Sequence, residues 1–161
     1  MQNTEIVKLS WKQFGQIISR MEKEIHASFN LNVIVGVGKS GIIPAAILAK
    51  RLGIIEVYSI VVSLYNEEKP PQRLYQGPQI MFSNLGSLED KKVLVVDDFV
   101  HTGATLKKVL QKVSNVGAEE VRSAVVGLRL NASYSPDYCG MTFKGCIWFP
   151  WDSSFHKNLE K

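Results

Sequence analysis

The chain has 161 residues, of which 45% are hydrophobic and 21% are charged, and this length and composition predict a single domain over residues 1–161 rather than two. Nineteen Lys and Arg residues against 15 Asp and Glu residues give a formal charge of +4. That excess is compatible with an anionic ligand but is too small to indicate a nucleic-acid partner.

The first half of the chain predicts two helices and two strands in alternation. Residues 10–28 place apolar side chains at helical spacing, with polar residues between them. Val33–Val37 is continuously apolar, as expected of a strand that is buried on both faces. A second helix is predicted over Ile42–Leu52 and a second buried strand over residues 57–64.

The second half repeats this alternation after an irregular loop. Residues 65–78 combine charge, three prolines and a glycine without a period, and we expect this long loop to be a mobile cover over an active site. A strand at 93–97, a helix at 104–116 and a strand at 121–128 follow. The apolar tail at 146–152 is expected to return to the sheet or to a site beside it. The strand–helix–strand order predicts an α/β fold, a mainly parallel sheet with helices on both faces.

Cysteine usage and apolar run lengths indicate the cellular compartment. Cys139 and Cys146 lack the spacing of a zinc site or of a disulfide framework, so we expect two reduced thiols. The N-terminal residues do not have the pattern of a signal peptide, and no apolar run reaches the length of a membrane span. These observations predict a cytoplasmic protein with no membrane partner.

A glycine-rich turn follows the first predicted strand. Gly38-Lys39-Ser40 is similar to the end of the phosphate-binding loop of nucleoside triphosphatases. That pattern needs a glycine five residues before Gly38, where the chain must fold around the phosphate, and this position is Val33. A nucleoside triphosphatase is therefore disfavoured, and the turn remains a candidate site for another polyphosphate.

A second anion site is predicted in the stretch VLVVDDFVHTGATL. Asp97 and Asp98 end a buried strand, and the turn after them opens a helix, whose free amides and positive end attract an anion. Thr102 and Thr105 add hydroxyl donors, and Gly103 lets the backbone come close. An acid pair beside an anion site suits vicinal hydroxyls, a metal or a developing cation. A sugar with a phosphate at one end and a diphosphate at the other would satisfy all of these features.

The same motifs resemble a known family. VLVVDDFVHTGAT closely resembles the signature of type I phosphoribosyltransferases, and GVGKSGIIPAAILAKRLG resembles their pyrophosphate loop and the helix after it. The tail SPDYCGMTFKGCIWFPWD is similar to the end of the purine branch, the xanthine, guanine and hypoxanthine enzymes. The resemblance spans about residues 32–152. It implies the type I phosphoribosyltransferase fold, in which a central, mainly parallel sheet is flanked by helices and carries a flexible loop and a small C-terminal hood.

The resemblance also implies an activity. Members transfer the 5-phosphoribosyl group from phosphoribosyl diphosphate to a nucleobase with the help of Mg²⁺, giving a nucleoside monophosphate and pyrophosphate. The tail indicates a 6-oxopurine acceptor, namely xanthine, guanine or hypoxanthine. The family is commonly homo-oligomeric, and no nucleic-acid partner is expected. The same fold has also been reused in non-catalytic regulators that sense phosphoribosyl diphosphate or nucleotides, and this alternative stays open.

Residue roles follow from the resemblance. The two acids would bind the ribose hydroxyls and help to place Mg²⁺, with Asp98 as the metal ligand. Lys39, Ser40 and Gly41 would hold the pyrophosphate, over which either Lys69 or Arg73 would close. The catalytic residues would be Asp97, Asp98 and His101, and the phosphoribose site would consist of Asp97, Asp98, Phe99, Val100, His101, Thr102, Gly103, Ala104 and Thr105.

The base half of the site departs from the family pattern. His101 stands where the purine enzymes place an Asp; a neutral His would act as a general base near pH 7, whereas a charged one would favour an anionic base. Arg129 is the nearest equivalent of a Lys that binds the exocyclic oxygen of the base. Cys146 replaces an aromatic ring that stacks on the base, and Ile147 matches an apolar contact. Trp148 would lie on the same face as Cys146 in an extended segment and would stack instead.

Overall fold

The computed structural model describes residues 6–64 and 73–152. In chain order the elements of these residues are β1 (Ile6–Lys8), α1 (Trp11–Ser28), β2 (Val33–Val37), α2 (Ile42–Leu52), β3 (Glu56–Ser63), β4 (Gln79–Ser83), β5 (Lys92–Val100), α3 (Ala104–Asn115), β6 (Glu120–Arg129), β7 (Tyr138–Phe143) and β8 (Cys146–Trp148). Within the described ranges, no helix combines the length and the apolarity that crossing a membrane requires.

Six strands form the central sheet in the order β4-β3-β2-β5-β6-β7. All neighbours in this sheet are parallel except β3 and β4, which are antiparallel. The α/β fold class and the mainly parallel sheet are therefore confirmed. The C-terminal tail returns beside this sheet rather than in it, because β8 pairs in parallel with β1 as a separate two-stranded sheet. This small sheet is the predicted hood.

Two apolar cores cover the two faces of the sheet. Side chains alternate along β5, so Leu94 and Val96 join the core formed by α1 and α2, whereas Val93 and Val95 join the core formed by α3. These four side chains are fully buried. A strand that is apolar on both faces has this environment in an α/β protein.

The structure extends or adds strands that the sequence pattern does not predict. β5 runs three residues past the predicted end at 97, because its pairing with β6 continues to Val100↔Leu128. β4 and β7 lie at the two edges of the sheet, and the exposed residues of β4 follow no strict alternation. Edge strands of this kind have too little buried apolar periodicity for the pattern to indicate them.

Helix α1 packs closely on β7 at Gly140. A methyl group added at Gly140 would lie 2.4 Å from Cγ2 of Ile17, 2.6 Å from the carbonyl oxygen of Val126 and 3.0 Å from Sδ of Met21. The carbonyl oxygen of Gly140 also accepts a hydrogen bond from the Arg20 guanidinium. The absence of a side chain at this position therefore sets the distance between helix and strand.

We predict that Gly140→Ala destabilises the protein by about 1–3 kcal/mol, because the methyl group overpacks a backbone contact. Gly15→Ala in α1 is the matched control, since its methyl group has no neighbour within 4 Å. Removing a glycine from a helix interior stabilises it by roughly 0.5–1 kcal/mol, so the two substitutions should have opposite signs. Urea unfolding followed by circular dichroism measures both; equal effects would contradict the close-packing interpretation.

Candidate active site at the carboxyl edge of the sheet

A cleft of about 310 Å³ opens at the carboxyl ends of the parallel strands. Its walls are residues 37–41 after β2, residues 97–103 and 105–106 from β5 to α3, and Val62 and Leu64 at the end of β3. Both predicted anion sites and the acid pair therefore lie in one cavity. Ligands of open parallel sheets bind at this edge.

The acid pair is buried at the floor of the cleft. Asp97 and Asp98 are only 8% and 7% exposed. Oδ1 of Asp97 accepts the backbone N–H of Asp98 at 2.9 Å, and Oδ1 of Asp98 accepts that of Phe99 at 2.9 Å. Each carboxylate is thus held by the backbone of the next residue in the chain.

Burial makes both acids hold their protons more tightly than usual. Burial, followed by the neighbouring Asp98 carboxylate, raises the pKa of Asp97 well above its ordinary value. Burial raises the pKa of Asp98 to about 6, and the nearby Asp152 carboxylate adds to this rise. Among residues 6–64 and 73–152, the groups that shift these two pKa values include no cation. A cationic or hydroxylic ligand is what such a pair lacks.

The loop after β2 reaches the acid pair because residue 41 is glycine. A methyl group at Gly41 would lie 2.4 Å from the carbonyl oxygen of Val37 and 2.8 Å from Oδ1 of Asp97. Gly41 is also the N-cap of α2, and no side chain caps the helix there. The N–H groups of Gly41 and Ile43 already donate to backbone carbonyl oxygens at 3.1 Å. This end therefore suits an anion through the positive end of the helix, with exposed Lys39 and half-buried Ser40 before it.

The turn after β5 is the second predicted anion site. Gly103 is the N-cap of α3 in the left-handed region, with φ +96°, and it makes no side-chain cap. Thr102 Oγ1 accepts the N–H of Ala104 at 3.4 Å. A methyl group at Gly103 would lie 2.3 Å from Cβ of Tyr134, so glycine is required both by the backbone conformation and by this neighbour.

The loop between β6 and β7 supports this turn. The sequence analysis predicted the turn but not these supporting contacts. Ser133 Oγ donates to the carbonyl oxygen of Thr102 at 2.9 Å, and Lys107 Nζ donates to the carbonyl oxygen of Ser133 at 3.4 Å. The Tyr134 hydroxyl is 2.9 Å from Oγ of Ser123, which holds its ring against the turn. These contacts join residues that are distant in sequence, and no local motif marks them.

His101 is hydrogen-bonded to Arg129, and its pKa is lowered. The Arg129 guanidinium contacts Nε2 of His101. Burial, followed by the positive charge of Arg129, lowers the pKa of His101. Of the two charge states considered for His101, the structure favours the neutral one.

The structure does not bring the other predicted base-binding residues into the cleft. Cys146 and Trp148 share the outer face of β8, as predicted for an extended segment, while Ile147 points into the core. Lys8 Nζ lies 5.2 Å from the centroid of the Trp148 ring. None of these β8 residues lines the cavity. Arg129 does not line it either, but it contacts His101, which does. The base-binding role of these residues stays a prediction.

Phe99 is the aromatic side chain that the cleft does expose. It is 40% exposed and lines the cavity, and its ring centroid lies 6.5 Å from that of Phe143 and 6.4 Å from that of Phe149. The resemblance places Phe99 only in the phosphoribose site. Its position also offers a planar face to a ring-shaped ligand.

The structure describes one of the two candidate residues for closing over the pyrophosphate. Lys69 lies outside the described residues. Arg73 is exposed and donates from Nε to the carbonyl oxygen of Tyr75 at 2.9 Å, and its guanidinium also donates to the carbonyl oxygen of Gln76. Arg73 thus binds its own turn here and does not line the cleft.

Comparison with known proteins agrees with this geometry. Residues 9–156 match the model of the family described as "Phosphoribosyl transferase domain". A purine phosphoribosyltransferase from Pyrococcus horikoshii has a crystal structure that superposes with a TM-score of 0.80 at 33% identity, covering 92% of this chain and 94% of that chain. A xanthine-guanine phosphoribosyltransferase from Idiomarina loihiensis is 26% identical over 148 residues, which is 92% of this chain and 88% of the relative.

A relative with another role is also similar. The transcriptional regulator GfcR from Methanobrevibacter smithii is 28% identical over 125 residues, 73% of this chain, and the match spans 62% of the regulator's own length. The family match nevertheless covers nearly the whole chain, and the strand that carries the acid pair lies inside it. The chain therefore belongs to the phosphoribosyltransferase family and is a type I phosphoribosyltransferase related to the purine enzymes.

Proposed function

We propose that this protein transfers the 5-phosphoribosyl group of phosphoribosyl diphosphate to a nucleobase, and that the base is a 6-oxopurine: xanthine, guanine or hypoxanthine. The observation that carries the proposal is the buried pair Asp97 and Asp98 in one cleft with two helix N-termini whose N-cap residues are glycines. The purine acceptor is supported by the similarity of this chain to two relatives, a purine phosphoribosyltransferase and a xanthine-guanine phosphoribosyltransferase.

The cleft suits the two ends of the substrate. The turn at 101–105 would bind the 5′-phosphate through backbone amides, and residues 39–41 would bind the diphosphate at the other end. Asp97 and Asp98 would accept hydrogen bonds from the ribose hydroxyls between them. A base nitrogen then bonds to the anomeric carbon as the bond to pyrophosphate breaks. Positioning and fixed charges lower the barrier for such a displacement, so few proton transfers are needed.

The acid pair fits a magnesium ion that takes most of its ligands from the substrate. In the described residues no group of three His, Cys, Asp or Glu side chains is placed to hold a metal. Mg²⁺ is often bound through one or two carboxylates together with substrate phosphates, and Asp98 beside Asp97 provides that number. Bound there, the ion would supply charge neutralisation for the leaving pyrophosphate.

We expect base-dependent release of pyrophosphate from phosphoribosyl diphosphate and Mg²⁺. The assay compares xanthine, guanine, hypoxanthine, adenine, orotate and uracil, with the Asp97→Asn/Asp98→Asn variant as the inactive control. A 6-oxopurine should be the best acceptor. Tight binding of phosphoribosyl diphosphate by the wild-type protein with no turnover for any base would overturn the transferase proposal.

We also predict that Asp98→Asn makes the ligand-free protein more stable at high pH. The folded pKa of Asp98, about 6, lies above its ordinary value of 3.8, so folding stability falls as pH rises from about 4 through 6. Removing the ionisable group should therefore raise the free energy of unfolding at pH 8 by roughly 1–3 kcal/mol, with little change at pH 4. Thermal unfolding in EDTA measures this change.

The matched control is Asp90→Asn, because Asp90 is exposed and its positive φ of 56° is tolerated by asparagine. This substitution removes an exposed carboxylate and leaves the buried acid pair intact. Asp98→Asn should also lose the stabilisation that phosphoribosyl diphosphate with Mg²⁺ gives the wild-type protein. An Asp98→Asn protein no more stable than wild type at pH 8 would show that the ionised pair is not a destabilising element of the empty site.

A non-catalytic regulator is the second candidate, favoured by the GfcR relative and by one surface feature. A groove of about 550 Å³ along α1 and α2 is lined by the cations Lys12, Arg20, Lys23 and Arg51. Arg51 pairs there with Glu22 at 2.7 Å. A basic face of this kind would give nucleic-acid binding that weakens steeply with salt.

The two candidates are separated by measuring duplex DNA binding at rising salt, with and without phosphoribosyl diphosphate. Under the transferase proposal we expect only weak binding of duplex DNA, and phosphoribosyl diphosphate should not change it. Binding that phosphoribosyl diphosphate changes, and that Lys12→Gln/Lys23→Gln abolishes, would favour the regulator. The double substitution lies far from the acid pair in sequence and serves equally as a control in the pyrophosphate assay.

A further inference from the structure

The side chains of His101 and Arg129 are brought together by the register of the sheet. β5 and β6 are parallel, with Phe99 opposite Gly127 and Val100 opposite Leu128. His101 follows directly after the end of β5 and Arg129 is the last residue of β6, and their side chains are in contact. The pair therefore depends on backbone pairing and not on a flexible surface encounter.

The chemistry of arginine fixes where the imidazole carries its proton. A guanidinium has only N–H donors and stays protonated, so Nε2 of His101 must be the acceptor of this hydrogen bond. A neutral imidazole that accepts at Nε2 carries its proton on Nδ1. The lowered pKa of His101, caused by burial and by Arg129, is consistent with this neutral tautomer.

This tautomer leaves His101 without a free proton acceptor. Nε2 is occupied by Arg129, and Nδ1 already bears a hydrogen. His101 lines the cleft between Phe99 and Thr102, so Nδ1–H is the group it can offer to a ligand there. Arg129 lies behind His101 and does not line the cleft. A base bound beside His101 would therefore meet an N–H donor that is backed by the positive charge of Arg129.

We propose that His101 and Arg129 form a donor-only clamp that selects a nucleobase in its anionic form, and that His101 is not a general base. This inference rests on the proposed transferase function. The lone pair of the base anion forms the bond to the anomeric carbon, the carbon–oxygen bond breaks, and its electron pair leaves with pyrophosphate. No proton passes to the protein in this step. Arg129 acts as a positioning residue that holds the imidazole in one tautomer.

The clamp predicts an order among the 6-oxopurines. Xanthine carries a second carbonyl group, which withdraws electrons and makes its N–H groups more acidic than those of hypoxanthine. More of it is therefore anionic near neutral pH, which is the form that the clamp selects. We therefore expect xanthine to have a higher kcat/KM than hypoxanthine.

Two substitutions of His101 test its role. Asparagine places an amide N–H near the position of Nδ1 but cannot take a proton, whereas leucine offers neither a donor nor an acceptor. His101→Asn should lower kcat/KM for xanthine by less than about tenfold, while His101→Leu should lower it about a hundredfold or more. A general base would contribute about 10²–10⁴-fold, so His101→Asn would then be as impaired as His101→Leu, which would overturn the clamp.

Arg129→Leu tests the positioning role, with Lys144→Gln as the control for loss of an exposed positive charge. Arg129→Leu should lower the ratio of kcat/KM for xanthine to that for hypoxanthine at least about tenfold, and Lys144→Gln should leave the ratio unchanged within about twofold. Nitrogen-15 NMR of the ligand-free protein should show His101 with its proton on Nδ1, and this fixed tautomer should be lost in Arg129→Leu. A wild-type ring protonated at Nε2 would contradict the proposal.

The outcomes separate the clamp from the transferase function. Wild-type turnover with equal impairment of His101→Asn and His101→Leu would sink the clamp and leave the transferase standing. An absence of turnover with every base would sink the transferase and, with it, the anionic-acceptor step, whatever tautomer NMR finds.

Discussion

The burial of two adjacent carboxyl groups at the end of β5 is the constraint on which the site depends. Asp97 and Asp98 lie near the carboxyl end of β5, whose apolar residues face two cores, so they cannot move out to solvent without moving the centre of the sheet. Gly41 packs directly against Asp97, which fixes the start of α2 relative to the acids. The loop after β2 and the turn after β5 therefore both face the acid pair.

The same arrangement is unfavourable for folding without a ligand. Two buried acids with raised pKa values destabilise the ligand-free protein at neutral pH, and the glycine N-caps of α2 and α3 add no side-chain cap to either helix. Either feature alone would lower stability without a gain. The proposed substrate, with hydroxyl groups between two anionic ends, would satisfy both, so that lost folding stability would be recovered on binding.

The sequence predicted those features of the site that are formed within one short segment of the chain. Strands apolar on both faces, the acid pair and the glycine turn before α3 are each contained in a few consecutive residues. The contacts of Gly103 with Tyr134, of Asp98 with the charge of Asp152 and of His101 with Arg129 join distant segments. They depend on strand register and loop packing, which periodicity does not encode. The position of β8 outside the cleft was beyond prediction for the same reason.

The two sides of the cleft differ in how freely their residues can be substituted, and this difference affects which acceptor base one fold can take. The proposed phosphoribose side of the cleft contains glycines at which a substitution collides with neighbouring atoms, as at Gly41 and Gly103. The proposed base side depends on side chains, of which His101, just after β5, and Arg129, at the end of β6, are joined by one hydrogen bond. Side chains at such positions can be exchanged as a pair without moving the backbone. On this proposal the fold would keep its sugar site while the proton chemistry offered to the base changes.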